Sequence, residues 1–163
     1  MARPTAIAAD GNIRAVFATT LTTSAPTTSQ LNAATDISFY LTPDGLTPSV
    51  DEQEITDDRL ADTATFENKG RVKYSLGSLK YVINPASPSN NIAYTSLAPN
   101  TAGFIVIRWG VANATAWASS QIVDIWTVLL GSQIKLPPEA NSVLHCQQKV
   151  FTTNTTSFDV AVA

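Results

Sequence analysis

The sequence is short of the side chains that hydrolases and metalloproteins use. Its 163 residues include one histidine, His145, and one cysteine, Cys146. Because neighbouring residues of a strand point to opposite faces, these two side chains are not expected to converge on a metal or to form a nucleophile–base pair. A single cysteine also excludes an intrachain disulfide. We therefore expect no catalytic residue, no metal site and no cofactor.

Charged residues, glycines and long apolar runs are scarce as well. Charged residues make up 14% of the chain and the net charge is −3, which gives no general attraction for DNA. The seven glycines are scattered and form no phosphate-binding loop. No apolar stretch is long enough to cross a membrane, and the N-terminus does not read as a secretion signal. We expect a protein that is made and kept inside a reducing cell.

The charges that are present are segregated along the chain. Eight acids and one base lie between residues 44 and 67, whereas residues 68–80 hold four bases and no acid. Residues 51–58 of the acidic segment lack the glycine and spacing of a calcium loop, and nothing indicates a pocket around a pair of hydrolytic carboxylates. Arg71, Lys73 and Lys80, with two tyrosines, superficially resemble a basic and aromatic strip that binds nucleic acid. We favour the interpretation that these bases pair with the acidic arm, in the same subunit or the next. This arrangement suits docking between surfaces.

Alternation of apolar and polar residues predicts a mainly β fold. We expect a two-sheet antiparallel β-sandwich or partly closed barrel with one short flanking α-helix and one long extended loop. The helix is predicted over residues 88–98, between two prolines, and residues 19–30 are predicted to be an exposed loop. Strands are predicted at residues 12–18, 36–41, 71–83, 103–109, 122–130, 141–151 and 157–162.

Three of these strands carry more detailed predictions. In residues 36–41 the side chains of Ile37, Phe39 and Leu41 are expected to face inward. In residues 71–83 the apolar phase reverses near residues 77–78, which predicts a bulge or a strong local twist. The edge strand 157–162 has Asp159 as its one charge, so pairing of edges between subunits is expected.

Several segments, taken in order, resemble the major tail (tail tube) proteins of long-tailed, non-contractile bacteriophages, especially those infecting actinobacteria. They lie within residues 35–151 and include the acidic stretch 44–60. The others are residues 66–67, 81–85, 91–99, 103–104, 108–110 and 137–144.

The resemblance implies a structural, non-enzymatic virion subunit with a single tail tube domain over residues 1–163. Homohexameric rings would stack helically around the tape measure protein, and the lumen would later conduct double-stranded DNA without binding it specifically. Other implied partners are the tail terminator and distal tail proteins, with no membrane, and assembly would take place in the host cytoplasm. Residues 42–70 would form the loop that reaches the adjacent ring. Candidate inter-ring contacts are Asp51, Glu52, Ile55, Asp57, Asp58, Arg59, Leu60, Phe66, Arg71 and Lys73.

Three alternatives remain open at this point. A tail-terminator or distal-tail protein would form rings that do not extend. A β-sandwich that binds a receptor or carbohydrate would expose aromatic side chains in its loops, and Trp117 is the candidate for such a role. A small hydrolase would need a convergent polar triad, which a single histidine makes difficult.

Overall fold

The computed structural model describes residues 3–61 and 63–163 and is mainly β, with 42% strand and 9% helix. The predicted fold class is confirmed, as a curled antiparallel half-barrel with a second small sheet and two short helices. The strands are β1 (Ile13–Ala18), β2 (Thr35–Asp36), β3 (Ser49–Asp57), β4 (Phe66–Ser75), β5 (Ser78–Val82), β6 (Ala102–Trp109), β7 (Ile122–Lys135), β8 (His145–Thr152) and β9 (Ser157–Ala161). The helices are α1 (Thr28–Ala33) and α2 (Ile92–Ser96), and a 3-10 turn covers Pro88–Asn90.

Seven strands form one antiparallel sheet in the order β2-β1-β6-β7-β8-β5, and β9 pairs with β7 beyond the end of β8. The remaining two strands, β3 and β4, pair only with each other. The central strands β6 and β7 are apolar on both faces, as expected for strands covered on both sides. Ile105 and Trp126 point into the larger core cluster, whereas Val106 and Val123 point into the smaller one.

A buried polar network ties α2 to the larger core. The Gln148 side chain is fully buried, and its amide nitrogen donates to the carbonyl oxygens of Leu97 and Gly131, both at 2.8 Å. The Tyr81 hydroxyl donates to the Gln148 side-chain oxygen at 3.2 Å and accepts from Gln133 at 3.0 Å. Burial raises the pKa of Tyr81, so this hydroxyl stays protonated. The side chains of this network donate the hydrogen bonds that the carbonyl oxygens at the C-terminal end of α2 would otherwise accept from water.

The smaller core is covered by a helix that lies in the segment predicted to be a loop. Thr27 accepts from the Gln30 backbone N–H, and the Gln30 side chain accepts from the Thr27 N–H, which together form a capping box. Leu31, on α1, is 1% exposed and packs in the smaller cluster. The prediction that residues 19–30 are all loop was therefore wrong at its C-terminal end.

The strand predicted over residues 36–41 ends after its first residue. The Ser38 N–H donates to the Asp36 carboxylate at 3.0 Å, and this local bond turns the chain away from β1. Ile37 is buried and Leu41 is partly buried, as expected. Phe39 is 84% exposed, so its inward placement was wrong.

The predicted strand 71–83 is two strands in two different sheets. Leu76 and Gly77 separate β4 from β5, and Gly77 has φ +73°, a conformation that glycine adopts without steric cost. The reversal of the apolar phase correctly located the boundary between β4 and β5. Its interpretation as a bulge within one strand was wrong.

The helix predicted over residues 88–98 is shorter than expected. A 3-10 turn at Pro88–Asn90 precedes α2, and Ser87 makes no side-chain cap hydrogen bond. Strand β8 begins at His145, later than predicted, and its buried and exposed residues alternate. Cys146 and Gln148 are buried, whereas Gln147 and Lys149 are exposed.

Candidate functional site

The hairpin of β3 and β4, called here the arm (residues 49–75), carries most of the predicted contact residues. From Glu52 to Glu54 β3 advances two residues, whereas the partners on β4 run from Val72 to Lys69, three residues apart. The extra residue in β4 is a β-bulge, which increases local twist. It lies by Gly70, where an added Cβ would come within 2.7 Å of the Gln53 carbonyl oxygen.

The arm has almost no support from the rest of its own chain. Every residue of β3 except the half-buried Asp57 is exposed, and residues 66–69 of β4 are exposed too. Only the root is anchored, where Tyr74 packs against the larger core and its ring centroid lies 6.1 Å from that of Phe158. A two-stranded hairpin is marginally stable in water by itself. The arm is therefore a structure that gains stability from an additional surface.

Apolar side chains are concentrated toward the far end of the arm. Leu60, in the turn, has a relative exposure of 107%, so it makes no effective contact with its own chain. Ile55 and Phe66 are each 58% exposed, and the register Ile55–Asn68 and Asp57–Phe66 places them on one face. These three predicted residues are thus brought together as an exposed apolar end.

Part of the charge of the arm is neutralised internally. Lys69 donates to Glu52, which raises the pKa of Lys69, and Arg59 makes two bonds of 3.0 Å to Asp57. Lys69 thus pairs with the acidic segment of its own chain, whereas Arg59 is the base within that segment. Three of the four side chains are more than half exposed and that of Asp57 is 37% exposed, and such surface pairs contribute little to stability.

Four other predicted charges have no ion-pair partner among residues 3–61 and 63–163. They are Asp51, Asp58, Arg71 and Lys73. The two bases lie on the wall of a polar groove of about 550 Å³, between β4 and the loop of residues 152–155. Asp51 and Lys73 lie opposite each other in the register of β3 and β4, so the arm presents to solvent charges of both signs that make no ion pair with any described residue.

One outer edge of the large sheet is closed by a segment called here the strap (residues 40–45). The Thr42 N–H donates to the Lys80 carbonyl at 3.0 Å, and the Val82 N–H donates to the Tyr40 carbonyl at 2.8 Å. Lys80 also pairs with Asp44 at 2.9 Å, and this bond lowers the pKa of Asp44 to about 2. The strap thus covers β5, so this edge is not available to another strand.

The edge at β9 is open, because β7 is its only strand partner in the described part of the chain. Asp159, the single charge expected there, has φ +54° and lies at a register shift between β7 and β9. Its N–H donates to the Asp124 carboxylate at 3.1 Å, and the same carboxylate accepts from the Trp109 indole at 2.8 Å. A bulge of this kind limits how an edge pairs without closing it.

Trp117 does not provide an exposed aromatic contact. It is 5% exposed and lies under the guanidinium groups of Arg108 and Arg14. The central carbons of these groups are 4.6 Å and 5.0 Å from the centroid of the Trp117 ring. Arg108 is itself fully buried and donates to the carbonyls of Ala112 and Thr115, both at 2.9 Å, so it holds this loop to the sheet. Burial lowers the pKa of Arg108. The structural role of this arginine was not apparent from the sequence.

The remaining candidate chemistry is not assembled. Among the described residues, no three of His, Cys, Asp and Glu are grouped closely enough to hold a metal ion. Cys146 is buried, which raises the pKa of its thiol, and His145 lies on the other face of β8. In the same part of the chain, none of the helices has the length and apolar character needed to span a membrane.

Comparisons with known proteins agree with a structural role. No curated protein matches the chain. Among solved structures, it is similar to a chain in the cryo-EM structure of the anti-feeding prophage (AFP) baseplate, 6-fold symmetrised, with a TM-score of 0.53 and 15% identity over 96% of each chain. A family model described as phage tail tube protein matches residues 1–163. The chain therefore belongs to the phage tail tube protein family, as a structural protein of the virion tail and not an enzyme.

Proposed function

We propose that this chain is the repeating wall subunit of a phage tail tube, in which homohexameric rings stack helically through the arm. The observation that carries the proposal is the exposure of both faces of the β3–β4 hairpin, since a two-stranded hairpin needs a further surface to be stable. The similar prophage structure was solved in a 6-fold symmetrised assembly, which supports six copies per ring.

Burial of the apolar end supplies most of the stacking energy. Full burial of a side chain such as Leu60 stabilises by about 1.5–3 kcal/mol, and Ile55 and Phe66 each contribute less because they are partly covered already. An exposed ion pair contributes only about 0.2–1 kcal/mol. The apolar side chains therefore provide affinity, while the charges fix the register.

The free charges define which surfaces meet. Asp51 and Asp58 of one arm face Arg71 and Lys73 of the adjacent ring, a contact between a negative and a positive surface. Glu52, Asp57 and Arg59 keep their internal pairs and stiffen the arm. Because the same contact recurs at every subunit of a ring, the small energies of the single ion pairs add up. Together they fix the angle at which one ring stacks on the next.

Within a ring, the open edge at β9 is the surface that joins neighbouring subunits. The strap closes β5, and the Ser38 hydroxyl accepts from the Ala15 N–H on the outer side of β1. These closures leave β9 and the two-residue strand β2, at opposite sides of the large sheet, as the edges that are free for pairing. A contact of this head-to-tail kind closes into a ring when its rotation divides the circle.

The lumen of such a tube holds the tape measure protein and then conducts DNA. A chain with net charge −3 and few bases does not retain phosphates through counterion release, so DNA passes without specific binding. The tail terminator and distal tail proteins are the partners at the two ends. The segments resembling long, non-contractile tails support assignment to that type of virion.

The test replaces Asp57, Asp58 and Arg59 by Asn, Asn and Gln. All three are surface residues of the arm, so the unfolding midpoint stays unchanged while the rings no longer stack into long tubes. Glu139→Gln is the control, because it changes the net charge by the same single unit at an exposed site outside the arm. Negative-stain electron microscopy and sedimentation measure tube length.

Each outcome discriminates between the hypotheses. Long tubes from the unaltered protein and the control, with short tubes or single rings from the triple variant, support the proposal. Normal stacking of the triple variant contradicts the role of the arm. If the unaltered protein forms only single rings, a terminator or distal-tail role is favoured, and dispersed monomers favour a binding module.

A further inference from the structure

An apolar groove of about 410 Å³ opens beside the root of the arm. Its wall includes Ile13, Leu41 and Leu46, which are partly buried and pack against the larger core cluster. Phe39 and Trp109 form its outer wall and are 84% and 42% exposed. An exposed apolar surface of this kind marks an interaction site.

We propose that this groove receives the turn of the arm from a second copy of the chain, with Leu60 entering between Phe39 and Trp109. The proposal rests on the function proposed above and names the surface on which the arm ends. Its partner is a second copy, and no other protein is required.

The apolar side chains of the two surfaces match. Leu60 contacts nothing effectively in its own chain, and Phe66 on the adjacent strand remains 58% exposed. A side chain that enters the groove continues the larger core, because Leu41 and Leu46 already contact that core. Insertion therefore removes apolar surface from water on both partners.

The charges at the contact match as well. Asp10 is the charged residue of the groove wall, and it is exposed. Arg59 is the base of the turn, next to Leu60, and its side chain is 73% exposed despite the pair with Asp57. When Leu60 enters the groove, Arg59 comes to the side where Asp10 lies. The polar groove at Arg71 and Lys73 has no such apolar wall.

The arm of the same chain cannot fill its own groove. Leu46, on the groove wall, lies three residues before β3, whereas Leu60 follows the far end of that strand. The nine residues of β3 extend about 30 Å. The turn and the groove are therefore at opposite ends of the arm, and joining them between copies gives a head-to-tail contact that repeats without closing.

The experiment crosslinks assembled tubes with a short bismaleimide. The test variant combines Ala61→Cys, next to Leu60, with Ala9→Cys on the groove wall, so the apolar side chains of the contact are kept. The native Cys146 is buried and does not react while folded. The control variant combines Ala61→Cys with Glu139→Cys, which is exposed outside the arm and outside both grooves. After quenching, we expect a ladder of covalent multimers on a denaturing gel from the test variant and none from the control.

A ladder from the Glu139→Cys variant, or tubes of the test variant without a ladder, overturns the inference but leaves the tail tube function standing. If the unaltered protein forms no tubes, the proposed function fails and the inference fails with it. Charge exchange gives a second readout. Asp10→Arg and Arg59→Asp each raise the concentration of unassembled subunit about two- to five-fold, and the double variant restores it. Failure of the double variant to recover assembly contradicts the ion pair.

Discussion

Gln148→Leu tests whether the buried polar network holds α2 to the sheet. The substitution keeps the volume of the side chain similar but removes the donor to the Gly131 carbonyl and the acceptor of the Tyr81 hydroxyl. The Leu97 carbonyl keeps its bond of 3.1 Å from Gln133. Two buried polar groups are thus left without these partners.

Each such group costs about 1–3 kcal/mol, so we expect the free energy of unfolding to fall by about 2–6 kcal/mol. With a urea m-value of about 2 kcal/mol/M, the midpoint of urea unfolding shifts down by about 1–3 M. The assay is equilibrium unfolding followed by the fluorescence of the buried Trp126.

Gln147→Leu is the matched control, because Gln147 is exposed on the opposite face of the same strand. Its effect should stay within about 0.5 kcal/mol. If the two variants unfold at the same urea concentration, the network contributes nothing to stability and the reasoning is refuted. A large loss from Gln147→Leu alone would show that β8 is paired in the wrong register.

Two further predictions concern the strap and the first strand. Since the folded pKa of Asp44 is about 2, below the usual aspartate value of 3.8, its stabilising effect is complete above about pH 4 and is lost as the pH falls through 2. The carboxyl carbon of Asp44, followed by NMR, should titrate near pH 2 and move toward 3.8 in Lys80→Met; an unchanged midpoint would exclude the ion pair. Gly103→Ala should lower the free energy of unfolding by about 1–3 kcal/mol, because the added Cβ would lie 2.6 Å from the Ala18 carbonyl oxygen and 2.7 Å from the Phe17 ring. Wild-type stability in thermal unfolding would contradict this close approach.

The class of fold and the central strands were predictable because they depend on local alternation. β6 and β7 are apolar on both faces in the sequence, and both are covered on both sides in the structure. The start of α1 was also predictable in principle, since the spacing of Thr27 and Gln30 is that of a capping box. The surrounding threonines and serines concealed that signal.

The separation of β4 from β5 was not predictable from local pattern. The sequence marked Gly77 as a break, but the sheet to which each half belongs is decided by distant partners, β3 for one and β8 for the other. In the same way, Phe39 alternates with buried neighbours, yet a bond from Ser38 to Asp36 turns it outward. Tertiary pairing and side-chain hydrogen bonds override periodicity at these positions.

The candidate site was predictable as a segment but not as a surface. Charge alone identified the acidic stretch, although acids are uncommon in strands and β3 was not recognised as one. The apolar groove escaped prediction because Ile13, Leu46 and Trp109 come from three distant parts of the chain. Only folding brings them to one wall.

Because the arm is attached at Tyr74 and otherwise touches little of its own subunit, its sequence is almost uncoupled from the folding of the large sheet. Residues 49–73 are therefore a transplantable segment. Exchanging them between related chains would change which subunits are mutually compatible while each body folds as before.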